Sequence, residues 1–242
     1  VEYIGNQHLK NISQKIEVYK IIVADNKDDI SSTPESFTEI DQEIRYCCSK
    51  DSTIIAYAKV GNGPPILKAP NFMSSLEHDW RSPIWTHMYR FLAEKNTLVR
   101  FDQRGNGSSD VDPLDITFES FVDDVDAVVN DAKIDKFPIL GVSQGCAVSI
   151  AYAIKNPNKV SHLILFGGFA RGKGQRNDPS YEAKSKMEQT MILSGWEDEN
   201  PAFRQFFATS MIPEGNKEQM DSFNKIMKIT TSAKNAARIS MV

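Results

Sequence analysis

The stretch that decides the fold is Phe137–Gly145, F-P-I-L-G-V-S-Q-G. Its apolar opening is too short for a helix and reads as a buried strand. That strand runs directly into Gly141-Val142-Ser143-Gln144-Gly145, a G-x-S-x-G, and a helical pattern follows from Gln144 to about Asn156, where Pro157 stops it. Each residue type has a physical reason. The turn is so tight that the residues flanking the serine must be small, and its strain lifts the Ser143 hydroxyl clear of the sheet. The helix opening at Gln144 presents free backbone N–H groups and the positive end of its dipole, both suited to a developing oxyanion. Ser143 is therefore the candidate nucleophile and the Gln144 N–H a candidate oxyanion donor. The plainer alternative is a chance glycine turn.

Working outward, TLVRF (97–101) and SHLILFGG (161–168) are further short apolar runs. Phe118, Phe121, Val122, Val125, Val128, Val129 and Ala132 recur at three- and four-residue intervals, so 117–132 has one apolar helical face. Toward the N-terminus, EIRYCCS and TIIAYAKVG alternate around the turn KDS as a hairpin does, and GNGPP precedes the run ILKAP. The order strand, helix, strand, helix, strand predicts an α/β fold with a mostly parallel sheet, helices on both faces, and ligands beyond the carboxyl ends of the strands. Residues 171–242 are helical and polar, broken by Gly195, Pro201, Pro213 and Gly215, and read as a helical cap. Its Trp196, Phe203, Phe206 and Phe207 read as cap core, with the lining of an apolar pocket as the alternative.

A second block, Phe101-Asp102-Gln103-Arg104-Gly105-Asn106-Gly107-Ser108-Ser109, follows its own strand. Together with the G-x-S-x-G it resembles the α/β-hydrolase superfamily, where D-x-R-G-x-G-x-S follows the fourth strand and the nucleophile turn follows the fifth. The resemblance covers most of residues 42–242. It implies a serine-nucleophile, esterase-like hydrolase with a core over 42–170 and a cap over 171–242. It also implies that Asp102 is a structural loop residue held with Arg104 rather than a catalytic acid, that Gly105 and Gly107 belong to the same motif, and that His162 is structural. More narrowly, IRYCCSKDSTIIAYAKVG, LKAPNFMSSLEHDW, GVSQGCAVSIAYA and LFGGFARG resemble hydrolase domains attached to bacterial signalling proteins, among them class III nucleotide cyclases and transcriptional regulators. Residues 1–23 agree, since GNQHLKNISQKIEVYKI resembles the closing strand segment of a class III cyclase domain. The cyclase's own metal-binding and base-recognising residues would lie before Val1, so no cyclase activity is expected.

Departures from the family pattern shape the functional expectation. Members carry His-Gly after the third strand, where a backbone N–H completes the oxyanion hole; the letters here are Pro70-Asn71-Phe72. Proline has no N–H to donate, so the Phe72 N–H is the candidate, or that of Asn71 if the register slips by one. In this fold the chain order is Ser, then Asp or Glu, then His. Gly167 and Gly168 stand where a variant acid would follow the sixth strand, and His8, His78, His87 and His162 all precede the usual place of the base. His78 and His87 are near enough to the oxyanion segment to approach the site, or are simply cap or surface histidines. The expected fold thus lacks its last strands, the sixth strand is an exposed edge, and the chain as it stands is nearly inert, since a serine hydroxyl without a base is a weak nucleophile.

The remaining features narrow the class. At 242 residues the default is one main domain. The acidic, Ser/Thr-rich stretch over 24–41 reads as a linker, with a mere N-terminal tail as the alternative. A formal charge of −4 with no Lys/Arg cluster argues against nucleic acid as a partner. No window reaches the ~18 apolar residues of a membrane span, no signal-peptide pattern opens the chain, and Cys47, Cys48 and Cys146 make no disulfide framework, so a cytoplasmic protein is expected. Metal-ligand spacing and phosphate-cradling loops are lacking, so no cofactor is expected. The expected partners are a small-molecule substrate or ligand and, by covalent fusion, a cyclase or regulator domain. The second functional reading is a non-catalytic sensor that binds a small molecule and signals to the attached domain.

Overall fold

The computed structural model describes residues 2–7, 16–20, 42–169, 172 and 179–242. These fall into two compact units, residues 1–40 and 41–242. In the first, β1 (Glu2–Gln7) pairs antiparallel with β2 (Ile16–Lys20), with a register shift between Tyr3 and Gly5. His8, the end of the 1–23 segment from residue 21 onward, and the linker over 24–41 lie outside the described residues.

The second unit begins with the expected hairpin, β3 (Glu43–Cys48) antiparallel to β4 (Ile54–Val60). Its turn is closed by Ser52 N–H donating to Ser49 O, with Ser52 at φ 68°, and by the Asp51 carboxylate accepting from Thr53 N–H. Then follow β5 (Pro65–Lys68), α1 (Leu76–Arg81), α2 (Thr86–Lys95), β6 (Thr97–Phe101), α3 (Phe118–Asp131), β7 (Phe137–Val142), α4 (Gln144–Lys155) and β8 (Val160–Phe166). The short α1 and α2 are not among the expected helices: α1 has only six residues, and α2, whose apolar face is Met88, Tyr89, Leu92 and Ala93, has only ten. The sheet order is β3-β4-β6-β5-β7-β8. Pairing is antiparallel as far as β4–β6 and parallel from β6 through β5 and β7 to β8.

Alternation along the strands divides the core between the two faces of the sheet. Leu67, Val99 and Ile139 point to the side covered by α3 and α4, where they meet Val125, Val128, Val148 and Tyr152. Ile66 and Leu98, one residue earlier on their strands, face Trp80, Tyr89 and Ala93 of α1 and α2. At ~1.5–3 kcal/mol for each large apolar side chain buried, the valine stripe of α3 alone fixes that helix on the sheet. A reciprocal capping box between Thr117 and Ser120 sets where α3 starts.

Beyond β8, the chain forms α5 (Pro179–Gly195), α6 (Ala202–Met211), α7 (Lys217–Thr230) and α8 (Ala233–Ser240). The breaks fall where Gly195, Pro201, Pro213 and Gly215 were expected to place them. Trp196 is fully buried among Ile192, Phe207 and Met227, and its indole N–H donates to Thr231 O. Phe203 packs against the same cluster, but Phe206 corrects the expectation that all four aromatic residues turn inward: it is 62% exposed. His162 lies on β8, the strand expected for it, with its side chain exposed.

Candidate active site

β7 ends at Val142, and the next residue, Ser143, takes φ 51° and ψ −120° before α4 begins. A non-glycine residue in that region is strained, and the flanking glycines explain how it is tolerated. A Cβ on Gly141 would stand 2.7 Å from Cys146 Cα and from Gly145 O, and one on Gly145 would stand 2.5 Å from Pro70 O. The result is a serine that is solvent-exposed on top of a buried turn, with Gly141, Val142, Gly145 and Cys146 all buried around it. Beneath the turn, the Cys146 thiol donates to Gly141 O at 3.1 Å, and burial pushes its pKa up.

Ser143 opens onto a cavity of about 510 Å³ beyond the carboxyl ends of β5, β7 and β8. The segment after β5 contributes Asn71, Phe72 and Met73 to its wall, while Phe207, Met211, Ile212, Phe223 and Ile226 of the α6–α7 region cover it. Phe72 holds the two sides together through ring contacts with Trp196 (5.8 Å) and Phe207 (6.0 Å). Among the described residues, neither the Phe72 N–H nor the Gln144 N–H meets an acceptor. The Gln144 side chain is itself pinned, its amide donating to Ile239 O and its carbonyl accepting from Gln103.

The histidines divide. His78 and His87 both line the cavity. His78 Nε2 is engaged with Ser222 Oγ at 3.1 Å, and its pKa lies below the ordinary value because of burial and the nearby Lys225. Among the described residues, no side chain makes a hydrogen bond to Ser143 Oγ. Gly167 also lines the cavity, and Gly168 has no room for a side chain, since a Cβ there would stand 2.5 Å from Cys146 Sγ.

The loop of Asp102 to Ser109 lies behind the site. Asp102 and Arg104 are not held to each other as expected; their side chains serve different partners. Asp102 accepts from the N–H groups of Leu76 (2.7 Å) and Ser108 (2.8 Å), so it fixes the start of α1. Arg104, fully buried, makes a two-pronged pair with Asp124 (2.8 and 2.6 Å) and a second with Asp51. Gly107, at φ 52°, has its Cα so near Asp102 that a Cβ would overlap the carboxylate, and Gly105, at φ 77°, faces Asn235. Through Gly107 N–H to Thr230 O and Thr231 Oγ1 to Gly105 O, the loop anchors α7 and α8 against the sheet.

Sequence reasoning passed over one group. Lys68 and Arg100, each embedded in a short apolar run, are buried side by side with Asp79 and Asp102 under the segment that carries Phe72. A lone cation inside an otherwise apolar strand was the available signal.

The alternation of strands and helices, the strained serine and its cavity agree with an independent match: residues 76–220 fit the sequence pattern of the α/β-hydrolase fold. The chain belongs to the α/β-hydrolase family. Within that family it is 26% identical over 150 residues to a pyrrolizixenacetamide deacetylase of Xenorhabdus hominickii, covering 59% of this chain and 54% of that protein. The chain spans about half or less of the length of the curated relatives it matches. Among solved α/β hydrolases, a hydrolase of Pseudomonas aeruginosa superposes with a TM-score of 0.65 at 18% identity, covering 82% of this chain and 72% of the other. An esterase of Exiguobacterium antarcticum gives 0.65 at 19%, covering 81% and 72%. These likenesses establish the hydrolase fold. No helix among the described residues is long and apolar enough to cross a membrane.

Proposed function

We propose that this α/β hydrolase is a serine hydrolase acting on a carboxylic ester or a related acyl bond, with Ser143 as nucleophile. The observation that carries this reading is the strained, exposed Ser143 at the junction of β7 and α4, opening onto a cavity. Ser143 Oγ attacks the acyl carbonyl, and the charge that develops on the carbonyl oxygen is met by the N–H groups of Gln144 and Phe72. The serine proton passes to a base. By the chain order of this fold, that base and the acid that orients it belong on loops after β8. Helices α5–α8 act as a cap whose apolar face, with Phe207, Phe223 and Ile226, selects substrates with an apolar acyl or alcohol part. Fusion to a cyclase or regulator domain in the cytoplasm remains part of this proposal, on the strength of the sequence resemblance.

The test is an alkyl fluorophosphonate applied to the whole protein, with intact-mass detection. One phosphonyl adduct on Ser143, absent in Ser143→Ala, is expected. A folded protein that takes up no adduct would make the binding-only, sensor reading the better one.

A further inference from the structure

Lys68 closes β5, directly before the segment Ala69–Met73, and its side chain turns to the face covered by α1 and α2. It is buried, as are its neighbours Arg100, Asp79 and Asp102. Lys68 is the register partner of Arg100 on β6, so two cations lie side by side on that face. Arg100 has several partners: its Nη2 donates to Gln42 Oε1 and Leu76 O, and its guanidinium lies over the rings of Trp80 and Tyr89. Lys68 has fewer. Among the described residues its ammonium meets one acceptor, Asn71 Oδ1, while Asp79 keeps one buried carboxylate oxygen without a partner. The same Asn71 side chain donates from Nδ2 to Phe72 O at 3.0 Å.

Packing alone would ask for an apolar residue here, such as Ile66, which has the same orientation one pleat earlier. A buried ammonium is costly to desolvate, and here the carboxylates of Asp79 and Asp102 favour its charged form against burial. What Lys68 holds is the side chain that braces the Asn71–Phe72 turn.

We propose that Lys68 is a positioning residue for the oxyanion segment, its ammonium fixing Asn71 from behind so that the Phe72 N–H faces the carbonyl oxygen of a substrate on Ser143. This rests on the reading of Ser143 and Phe72 given above. Lys68 touches no substrate; it acts through Asn71, which braces Phe72. Burial holds its pKa down at about 8, with Asp79 and Asp102 pulling it up and Arg100 pushing it down, so the grip on Asn71 stays charge-assisted at neutral pH.

The test compares Lys68→Met and Asn71→Ala with the wild-type whole protein. One readout is the saturation kinetics of an alkyl fluorophosphonate on Ser143; the other is hydrogen exchange of the amides in 70–73. Loss of one oxyanion donor bounds the effect. The maximal modification rate should fall roughly 10- to 100-fold in both variants, the half-saturating concentration should stay within about twofold, and exchange in 70–73 should rise at least ~10-fold. An unchanged maximal rate in a reactive protein overturns the proposal. If the wild type does not react at all, the reading of Ser143 fails, and exchange alone decides whether Lys68 holds the segment. If Lys68→Met does not fold, Asn71→Ala, which leaves the cation in place and removes its acceptor, decides on the same two measurements.

Discussion

Gly145, the second residue of α4, is packed against the carbonyl oxygen of Pro70, so that a Cβ at Gly145 would stand only 2.5 Å from it. The turn that carries Ser143 and the segment that carries Phe72 are therefore in rigid contact through a glycine and a peptide carbonyl. Neither backbone can yield without shifting the other. Gly145→Ala should cost ~1–3 kcal/mol of stability, the usual range for overpacking a close contact. It should also slow fluorophosphonate modification of Ser143, because the relief of the clash moves Pro70 to Phe72. Chemical denaturation and labelling kinetics check both; a variant unchanged in each would show that the contact is looser than it looks.

Ser143 stores strain of a kind that a second glycine would release. At φ 51° and ψ −120° a side chain is disfavoured, and glycine is not. Strain of this kind is worth of order 1–3 kcal/mol, offset by ~0.5–1 kcal/mol for the freer unfolded chain of a glycine variant. Ser143→Gly should therefore be more stable than Ser143→Ala by about 1 kcal/mol, and neither should take up the probe. Equal denaturation midpoints for the two variants would mean that the turn is not strained.

Much of this was legible in sequence because it is local. A run such as FPILGV can only be a buried strand when a tight turn and a helix follow it, and the glycines at 141, 145, 105 and 107 mark the places where the backbone approaches another group. What stayed hidden depends on distant partners. Arg104 meets Asp124 and Asp51, which lie 20 and 53 residues away, in place of the pairing with Asp102 that the family resemblance implied. Asp102 instead serves the N–H of Leu76, at the head of a six-residue helix that is too short to announce itself. Lys68 went unnoticed for the opposite reason: its strand was so clearly apolar that one cation did not alter the reading. Phe206 has helical spacing with Phe203, yet only the packing of α6 decides which of them faces inward.

The pair between Asp51 and Arg104 makes stability depend on acid pH. The Arg104 guanidinium, at 2.6 Å, holds the Asp51 carboxyl down at about 2, whereas an unfolded aspartate titrates near ~3.9. The folded state thus keeps this carboxylate charged where the unfolded state has taken up a proton. The stabilisation is present above the unfolded value and is lost as pH falls from about 4 to about 2. Asp51→Asn should be less stable than wild type at pH 5–7, and the gap in melting temperature should close across that window. A gap that stays constant from pH 5 to pH 2 would mean that the pair contributes nothing through its charge.

β8 bonds to β7 on one side, and among the described residues no strand pairs with its other side. Leu163, Ile164, Leu165 and Phe166 are each more than 40% exposed, so both faces of this edge are apolar and its outer N–H and C=O groups are open to a partner. An apolar edge with free ladder groups is a template for a second strand, and the nearest match in shape is another copy of the same edge. The isolated 242-residue chain should therefore associate as its concentration rises, seen in sedimentation velocity over the micromolar range. Placing lysine at Leu163 and Leu165 puts two charges on one face of the edge, where pairing would bring like charges together, and should return the chain to monomer with its helix and strand content unchanged. A wild-type chain that sediments as a single monomer at every concentration would show that the open edge is not sticky; a lysine variant that still associates would place the contact elsewhere on the surface.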